Sequence, residues 1–264
     1  MIGVLPVPHH LAVEPRALSG DIRILVSSIL ERRGFLAAFT ERTGGTSAPP
    51  HASLNLGAQT GDTPGAVEEN RSRVVAALGT GPLVAARQVH GTAVLHVAGA
   101  VPDPGTALGE ADALVTSLRS VPLAVMTADC VPLALASERE GLFAVIHIGW
   151  RGLALGIVQR AVRLFADPGE VAAAIGPAIG PCHYEVGPEV VDEVRRGAGE
   201  IVSTTESADR ARLDLAGTVE RVIRSGGLTD VDRAGECTAC EPLRFFSHRR
   251  DRETGRQALI AMRL

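Results

Sequence analysis

Short apolar runs separated by turn residues dominate the middle of the chain. Five stretches of strand length, 92–97, 111–116, 121–127, 131–136 and 142–148, are bounded by Gly, Pro, Asp or Ser and predict consecutive β-strands. Further buried runs at 171–175 and 256–262 extend the series. Helical spacing interrupts it: Val67, Val74, Val75 and Leu78 mark a helix over 64–78 that Asp62 is placed to cap, and Leu153, Ile157, Val158, Ala161, Val162 and Phe165 mark one over 153–166. Two more helices are expected at 188–196 and 213–225. From 40 to 64 Gly, Ser, Thr, Asn and Pro crowd together and predict a long loop, of a length that is usually functional or disordered, with a short ordered stretch where Ala52, Leu54, Leu56 and Ala58 alternate. Residues 1–33 are rich in Pro and charge and predict a variable peripheral extension, with an apolar stretch at 22–30 that reads as a strand or a short helix. No repeat or linker divides the remainder, so 34–264 is expected to be a single mixed α/β domain.

Composition narrows the picture. Hydrophobic residues make up 45% of the 264, yet only one Trp, one Tyr and six Phe are present, so the core must be built from Ala, Val, Leu and Ile. The net charge of -4 offers no global attraction to nucleic acid or to an anionic membrane, so an anionic substrate must be held locally. Four cysteines are too few for a disulfide scaffold, no leader pattern is present and no run reaches membrane-spanning length. These features predict a cytoplasmic protein, monomeric or weakly homo-oligomeric, that acts on small molecules.

The most informative chemistry lies in three scattered residues: His90 in Arg87-Gln88-Val89-His90-Gly91, Cys130 in Thr127-Ala128-Asp129-Cys130, and His147 in Ile146-His147-Ile148-Gly149-Trp150-Arg151-Gly152. Two imidazoles and one thiolate suit zinc, and three protein ligands leave one position open. Hydrogen-bonded histidines at strand ends are the plainer alternative. Asp129 and Gln88 add hydrogen-bonding groups beside these residues. The turn from Gly149 to Gly152 leads from a strand into a helix and is a candidate anion site. A helix end contributes only about 0.3–1 kcal/mol, so Arg151 or another Arg must supply most of the affinity. Trp150 and Arg151 merely covering a helix end is the competing reading. Arg42 stands before the paired glycines of Thr43-Gly44-Gly45, where backbone can approach a ligand closely. The P-loop, the dinucleotide-binding glycine pattern and a Ser nucleophile elbow are all missing. Cys237 and Cys240 in a C-x-x-C, with Cys182 beside His183, are candidates for a second tetrahedral site, a redox pair or inert thiols.

Ordered segments then carry a resemblance: 39–47 around Arg42, Ser53-Leu-Asn-Leu-Gly57, Glu69-Asn-Arg71, Gln88-Val-His-Gly91, Ala111-Asp-Ala113, 126–130, 147–152, Ile175-Gly-Pro177, Tyr184-Glu-Val-Gly187, and 245–251 with Thr254-Gly-Arg256. From about residue 34 onward the chain resembles the YfiH family, also called laccase-domain or multicopper polyphenol oxidase proteins. The resemblance implies a four-layer α/β/β/α domain and zinc on His90, Cys130 and His147. It also implies phosphorolysis of adenosine, inosine, guanosine and methylthioadenosine to base and sugar 1-phosphate, with deamination of adenosine to inosine and ammonia. In that reading Cys130, His147 and Asp129 carry catalysis, while Arg42, Gln88 and Arg151 bind nucleoside and phosphate. Two other chemistries compete. Cys130 with His147 or His90 as base makes a nucleophilic dyad, suited to amide hydrolysis in the editing of peptidoglycan precursors. Copper on the same residues would make a polyphenol oxidase, although eight histidines with no His-x-His pair are few for a multicopper protein.

Overall fold

The computed structural model describes residues 13–99, 107–199, 201–207 and 209–264; residues 1–12 of the expected extension lie outside them. Two sheets carry the architecture. The first is five-stranded, ordered β1 (Val13–Ala17), β2 (Arg23–Ser27), β3 (Phe35–Thr40), β14 (Gln257–Arg263) and β6 (Leu123–Thr127), all antiparallel. The second is six-stranded, ordered β13 (Asp230–Arg233), β9 (Ala172–Ile175), β7 (Val131–Ser137), β8 (Leu142–Ile148), β5 (Ala113–Thr116) and β4 (Val94–His96). Its central pairs are antiparallel and its outer pairs, β13 with β9 and β5 with β4, are parallel. A small third sheet joins β10 (Glu185–Val186), β12 (Arg210–Leu213) and β11 (Ser203–Ser207).

Alternation along each strand sends side chains to opposite faces, and here both faces are covered. Phe35, Ala37, Phe39, Val125, Leu259 and Ala261 of the first sheet meet Leu114, Ala134, Phe143, Val145 and Ala174 of the second in one inter-sheet core. The outer face of the first sheet, with Ile24, Val26, Ala124 and Ile260, is covered by α2 (Pro64–Leu78) through Val74. On the outer face of the second lie α3 (Trp150–Ala154), α4 (Ile157–Val162), α5 (Pro188–Ala198) and α6 (Leu215–Ser225). The layers therefore run α/β/β/α in a mixed α/β fold. None of the described helices is long and apolar enough to cross a membrane.

Several sequence expectations change. The expected peripheral extension is instead part of the first sheet from residue 13 onward: the 22–30 stretch is β2 followed by α1 (Ser28–Arg32), and Ile22, Ile24, Leu25 and Leu30 are buried. The helix expected at 153–166 begins earlier and is broken, because Gly156 takes a left-handed φ of 84° between α3 and α4. Asp62 is not the cap of α2; Thr63 occupies that position, and Asp62 accepts hydrogen bonds from Ser47, Asn55 and the Thr63 N–H. Of the expected 40–64 loop, Thr40 ends β3 and Pro64 begins α2; 41–63 has no helix or strand but is ordered by buried Asn70, whose side chain donates to Ser47 and to the Ser53 and Asn55 carbonyls. Its alternating Leu54 and Leu56 are fully buried against the first sheet.

Candidate metal centre and active-site cavity

Strand register brings the three donors together. β7 and β8 are antiparallel with Pro132 opposite His147, so Cys130, just before β7, lies beside the end of β8. Parity does the rest. Val145 and Phe143 of β8 and Ala134 and Ala136 of β7 point between the sheets, and His147 and Cys130 share their faces. Asp112 precedes β5 and receives the His147 N–H on its carbonyl at 2.8 Å and His147 Nδ1 on its carboxylate at 2.8 Å. The same carboxylate accepts the N–H groups of Val89, His90 and Gly91, at 3.2, 2.9 and 2.7 Å, and so clasps the loop that carries His90.

His90 Nε2 lies 3.8 Å from Cys130 Sγ, the two imidazole rings meet edge to face at 4.8 Å, and all three donor atoms fall within 4.8 Å of one another. Gly149 makes room: a Cβ there would come within 2.6 Å of the His90 ring and 3.3 Å of Cys130 Sγ. His90 and Asp129 hold positive φ of 60° and 94°, unusual for residues with a side chain, in the two turns that deliver the donors. The set fits a transition metal. With Nδ1 of His147 engaged by Asp112, Nε2 is left to face the thiol, the carboxylate–histidine pairing common behind metal ligands.

Without metal, these groups form an ion pair. Burial pushes the Cys130 thiol up, but His147 and His90 outweigh it and bring it down to about 6. Burial likewise lowers His147, but the facing thiolate and Asp112 outweigh it and raise it to about 9. Burial opposes ionisation of Asp112 too, and the hydrogen bonds from His147 and Gly91 hold its carboxyl below the usual range.

These residues floor a cavity of about 570 Å³ that opens between the sheets where the turn 128–130 crosses from β6 to β7. Arg71 of α2, Arg87, Arg151 of α3, Arg249 and Arg256 line it; Arg87 pairs with Glu110, and the other four have no carboxylate ion-pair partner among the described residues. Several arginines outside this cavity do have such partners, as Arg244 has Glu41 and Arg233 has Asp214. Burial, with nothing opposing it, pulls the Arg71 guanidinium down; burial does the same to Arg256, against the pull of Cys130 and Asp129. Such groups gain from an anion. Tyr184, with Arg249 stacked 5.0 Å over its ring, adds an aromatic wall, and Met126, Ala128 and Ile179 add apolar surface.

The sequence candidates divide accordingly. Arg151 lines the cavity, its guanidinium 4.5 Å over the Trp150 ring, but α3 has only five residues and offers little helix-end field. Gln88 lines it too, yet its amide is used at both ends by the Met126 backbone, at 2.7 and 2.8 Å. Asp129 accepts from Thr238 Oγ1 at 2.7 Å and the Arg249 N–H at 2.6 Å. Arg42 does not reach the cavity. Its guanidinium donates to the carbonyls of Ala52 and Pro242 and lies 4.6 Å over Phe246, tying loops together away from the cavity, whereas Arg71, Arg249 and Arg256 also donate to backbone carbonyls but do so in the cavity wall. Missed in the sequence were Asp112, Arg71, Arg249, Arg256 and Tyr184. All five lie in segments that carry the resemblance; beyond that only Asp112 had a local signal, a carboxylate inside the apolar run 111–116, which burial obliges to find partners.

Comparison with known proteins gives the family. Residues 36–263 match the family described as multi-copper polyphenol oxidoreductase laccase. Purine nucleoside phosphorylase YfiH of Shigella flexneri is 39% identical over 230 residues, 86% of this chain and 93% of that protein. The chain belongs to the YfiH laccase-domain family. A purine nucleoside phosphorylase of Deinococcus radiodurans is 43% identical over 227 residues, covering 83% of this chain and 85% of its own. Among solved structures, YlmD from Geobacillus stearothermophilus superposes with a TM-score of 0.85 at 35% identity, covering 91% of this chain and 96% of that one. The hypothetical protein YfiH of Bacillus licheniformis gives 0.85 at 32% identity, with 90% and 96% covered.

Proposed function

We propose that this YfiH-family chain is a zinc-dependent purine nucleoside phosphorylase that also deaminates adenosine. One observation carries the reading: a His90, Cys130 and His147 donor set on the floor of a cavity lined by five arginines, four of which lack carboxylate partners among the described residues. The names of the relatives at about 40% identity supply the substrate class. Zinc held by the three donors would supply a Lewis acid for oxygen ligands and water.

The protein's own groups account for the rest. Asp112 fixes the proton on His147 Nδ1 and so keeps Nε2 a donor lone pair. Arg71, Arg249, Arg256 and Arg151 draw in phosphate and hold it against the ribose, with bidentate guanidinium contacts fixing its orientation. In phosphorolysis a phosphate oxygen bonds to C1′ as the C1′–N9 bond breaks, the bonding pair leaves with the purine, and the base departs once protonated. Tyr184, Met126 and Ile179 give the purine a flat apolar slot. In deamination water adds at C6 and ammonia leaves. Asp129 acts by positioning: its carboxylate holds the Arg249 N–H and Thr238 while its neighbour Cys130 faces the substrate.

The test pairs metal analysis with product analysis on adenosine. Adenine and ribose 1-phosphate should appear only with phosphate, inosine and ammonia without it, and both should vanish in a metal-free preparation and return with zinc. Turnover that survives complete metal removal would overturn the proposal.

A second reading is favoured by one feature, the Cys130–His147–Asp112 alignment, which has the thiolate, base and orienting carboxylate of a cysteine hydrolase. Under it the chain is an amide hydrolase and metal binding inhibits. Rapid modification of Cys130 by iodoacetamide in zinc-loaded, active protein would favour it; zinc protection of the thiol favours the phosphorylase.

A further inference from the structure

A second cluster of donors lies outside the cavity. Cys182 and His183 occupy the turn after β9, and Cys237 and Cys240 the turn after β13. Because β9 and β13 are parallel neighbours, their following turns emerge at one end of the sheet. An isolated bridge between Ala178 and Cys237 and a hydrogen bond from the Thr238 N–H to the Ala178 carbonyl, at 3.0 Å, continue the pairing to the cysteines.

The four donor atoms lie close together. Cys182 Sγ lies 3.5 Å from Cys240 Sγ, and His183 Nδ1 lies 3.3 Å from Cys182 Sγ, 3.4 Å from Cys240 Sγ and 3.8 Å from Cys237 Sγ. No pair among the four exceeds 4.8 Å. Zinc bonds of about 2.3 Å to sulfur and about 2.0 Å to nitrogen at tetrahedral angles require edges of about 3.8 Å between sulfurs and about 3.5 Å between sulfur and nitrogen. The side chains meet that requirement with small adjustments. Backbone supports it as well: the Gly180 N–H donates to Cys237 Sγ at 3.1 Å, and the Cys240 N–H donates to the Cys237 carbonyl at 3.1 Å, closing the Cys-x-x-Cys turn. Gly180 leaves the space, since a Cβ there would lie 3.2 Å from Cys237 Cβ and 3.3 Å from Cys182 Sγ.

We propose that Cys182, His183, Cys237 and Cys240 form a closed, structural zinc site distinct from the cavity centre. Four protein ligands leave no open position, so its role is to staple two turns. What it staples matters. Thr238, between the two cysteines, donates to Asp129, the neighbour of Cys130, and Tyr184 follows His183 directly into the cavity wall. The site stands whether or not the cavity performs nucleoside chemistry.

The test uses Cys130→Ser protein, which removes the thiolate of the cavity centre, purified with reductant and zinc. Elemental analysis after removal of loosely held metal should give one zinc per chain. Cobalt in its place should give thiolate charge-transfer and tetrahedral ligand-field bands, both lost when Cys237→Ser and Cys240→Ser are added. In otherwise native protein, iodoacetamide should spare Cys182, Cys237 and Cys240 until a strong chelator is added. Metal-free Cys130→Ser, cobalt spectra lacking those bands, or rapid alkylation of all three thiols in the zinc-loaded protein would each overturn the proposal, as would a Cys182–Cys240 disulfide in protein kept under reductant.

Discussion

The two donor clusters sit at the same end of the six-stranded sheet, yet their surroundings differ in nearly every respect. The cavity centre has three donors, a buried His147 held by a fully buried carboxylate, and in the surrounding wall four arginines without carboxylate partners among the described residues. The second cluster has four donors, three of them exposed, with backbone N–H groups rather than carboxylates behind them. Donor count separates an open site from a closed one, and burial separates a site that tunes reactivity from one that only links turns. Similar ligands therefore do different work according to what remains uncoordinated and how dry the setting is.

Removal of a donor from the cavity centre breaks the comparison most severely. Cys130→Ser should abolish phosphorolysis and deamination while one tightly held zinc per chain remains, as assayed by product formation and elemental analysis. Asp112→Ala comes next. It frees His147 and three backbone N–H groups, so metal affinity at the cavity centre should fall about 10–100-fold, measured by competition with a chromogenic chelator. The arginines sharpen the contrast between a ligand-facing and a structural guanidinium. Arg256→Ala should raise KM for phosphate by about tenfold, about 1.4 kcal/mol, with the fold intact. Arg42→Ala should leave that KM unchanged but cost about 1–3 kcal/mol in denaturant unfolding, because the Ala52 and Pro242 carbonyls lose their donors.

The smallest effect is a pH profile. In metal-free protein the thiolate of Cys130 forms above about 6, and His147 stays protonated until about 9, so the ion pair spans that window. The rate of Cys130 alkylation should climb through about pH 6 rather than near the ordinary thiol range. Zinc should suppress it throughout.

The strands at the centre of the six-stranded sheet were legible because both faces are buried and the runs are apolar; 131–136 and 142–148 became β7 and β8 almost unchanged, whereas β3, the middle strand of the first sheet, was not anticipated. Strands with mixed composition were not. β13, Asp-Val-Asp-Arg, is held by pairing with β9, and its Asp232 is buried only because Ser27 and the Ile29 N–H satisfy it. Helix 153–166 read as continuous because its apolar spacing continues past Gly156, while the backbone break there leaves no mark in that spacing. The cavity arginines were hidden for a related reason. Apart from lying in segments that carry the resemblance, Arg71, Arg249 and Arg256 look like any of the chain's other basic residues until α2, α7 (His248–Asp251) and the start of β14 converge.

By itself the sequence determined the residue types of both donor clusters, the alternation that packs two sheets face to face, and the resemblance that tied His90, Cys130 and His147 together. Tertiary structure decided which of these groups meet. Antiparallel pairing of β7 with β8 brings Cys130 to the end of β8 that carries His147, parallel pairing of β9 with β13 brings the turn of Cys182 to that of Cys240, and the fold sends Arg42 into loop carbonyls while Arg71 and Arg256 face the cavity. Side-chain chemistry is a local property of the chain, whereas distance, burial and the partner that satisfies each charge depend on contacts between residues far apart in sequence.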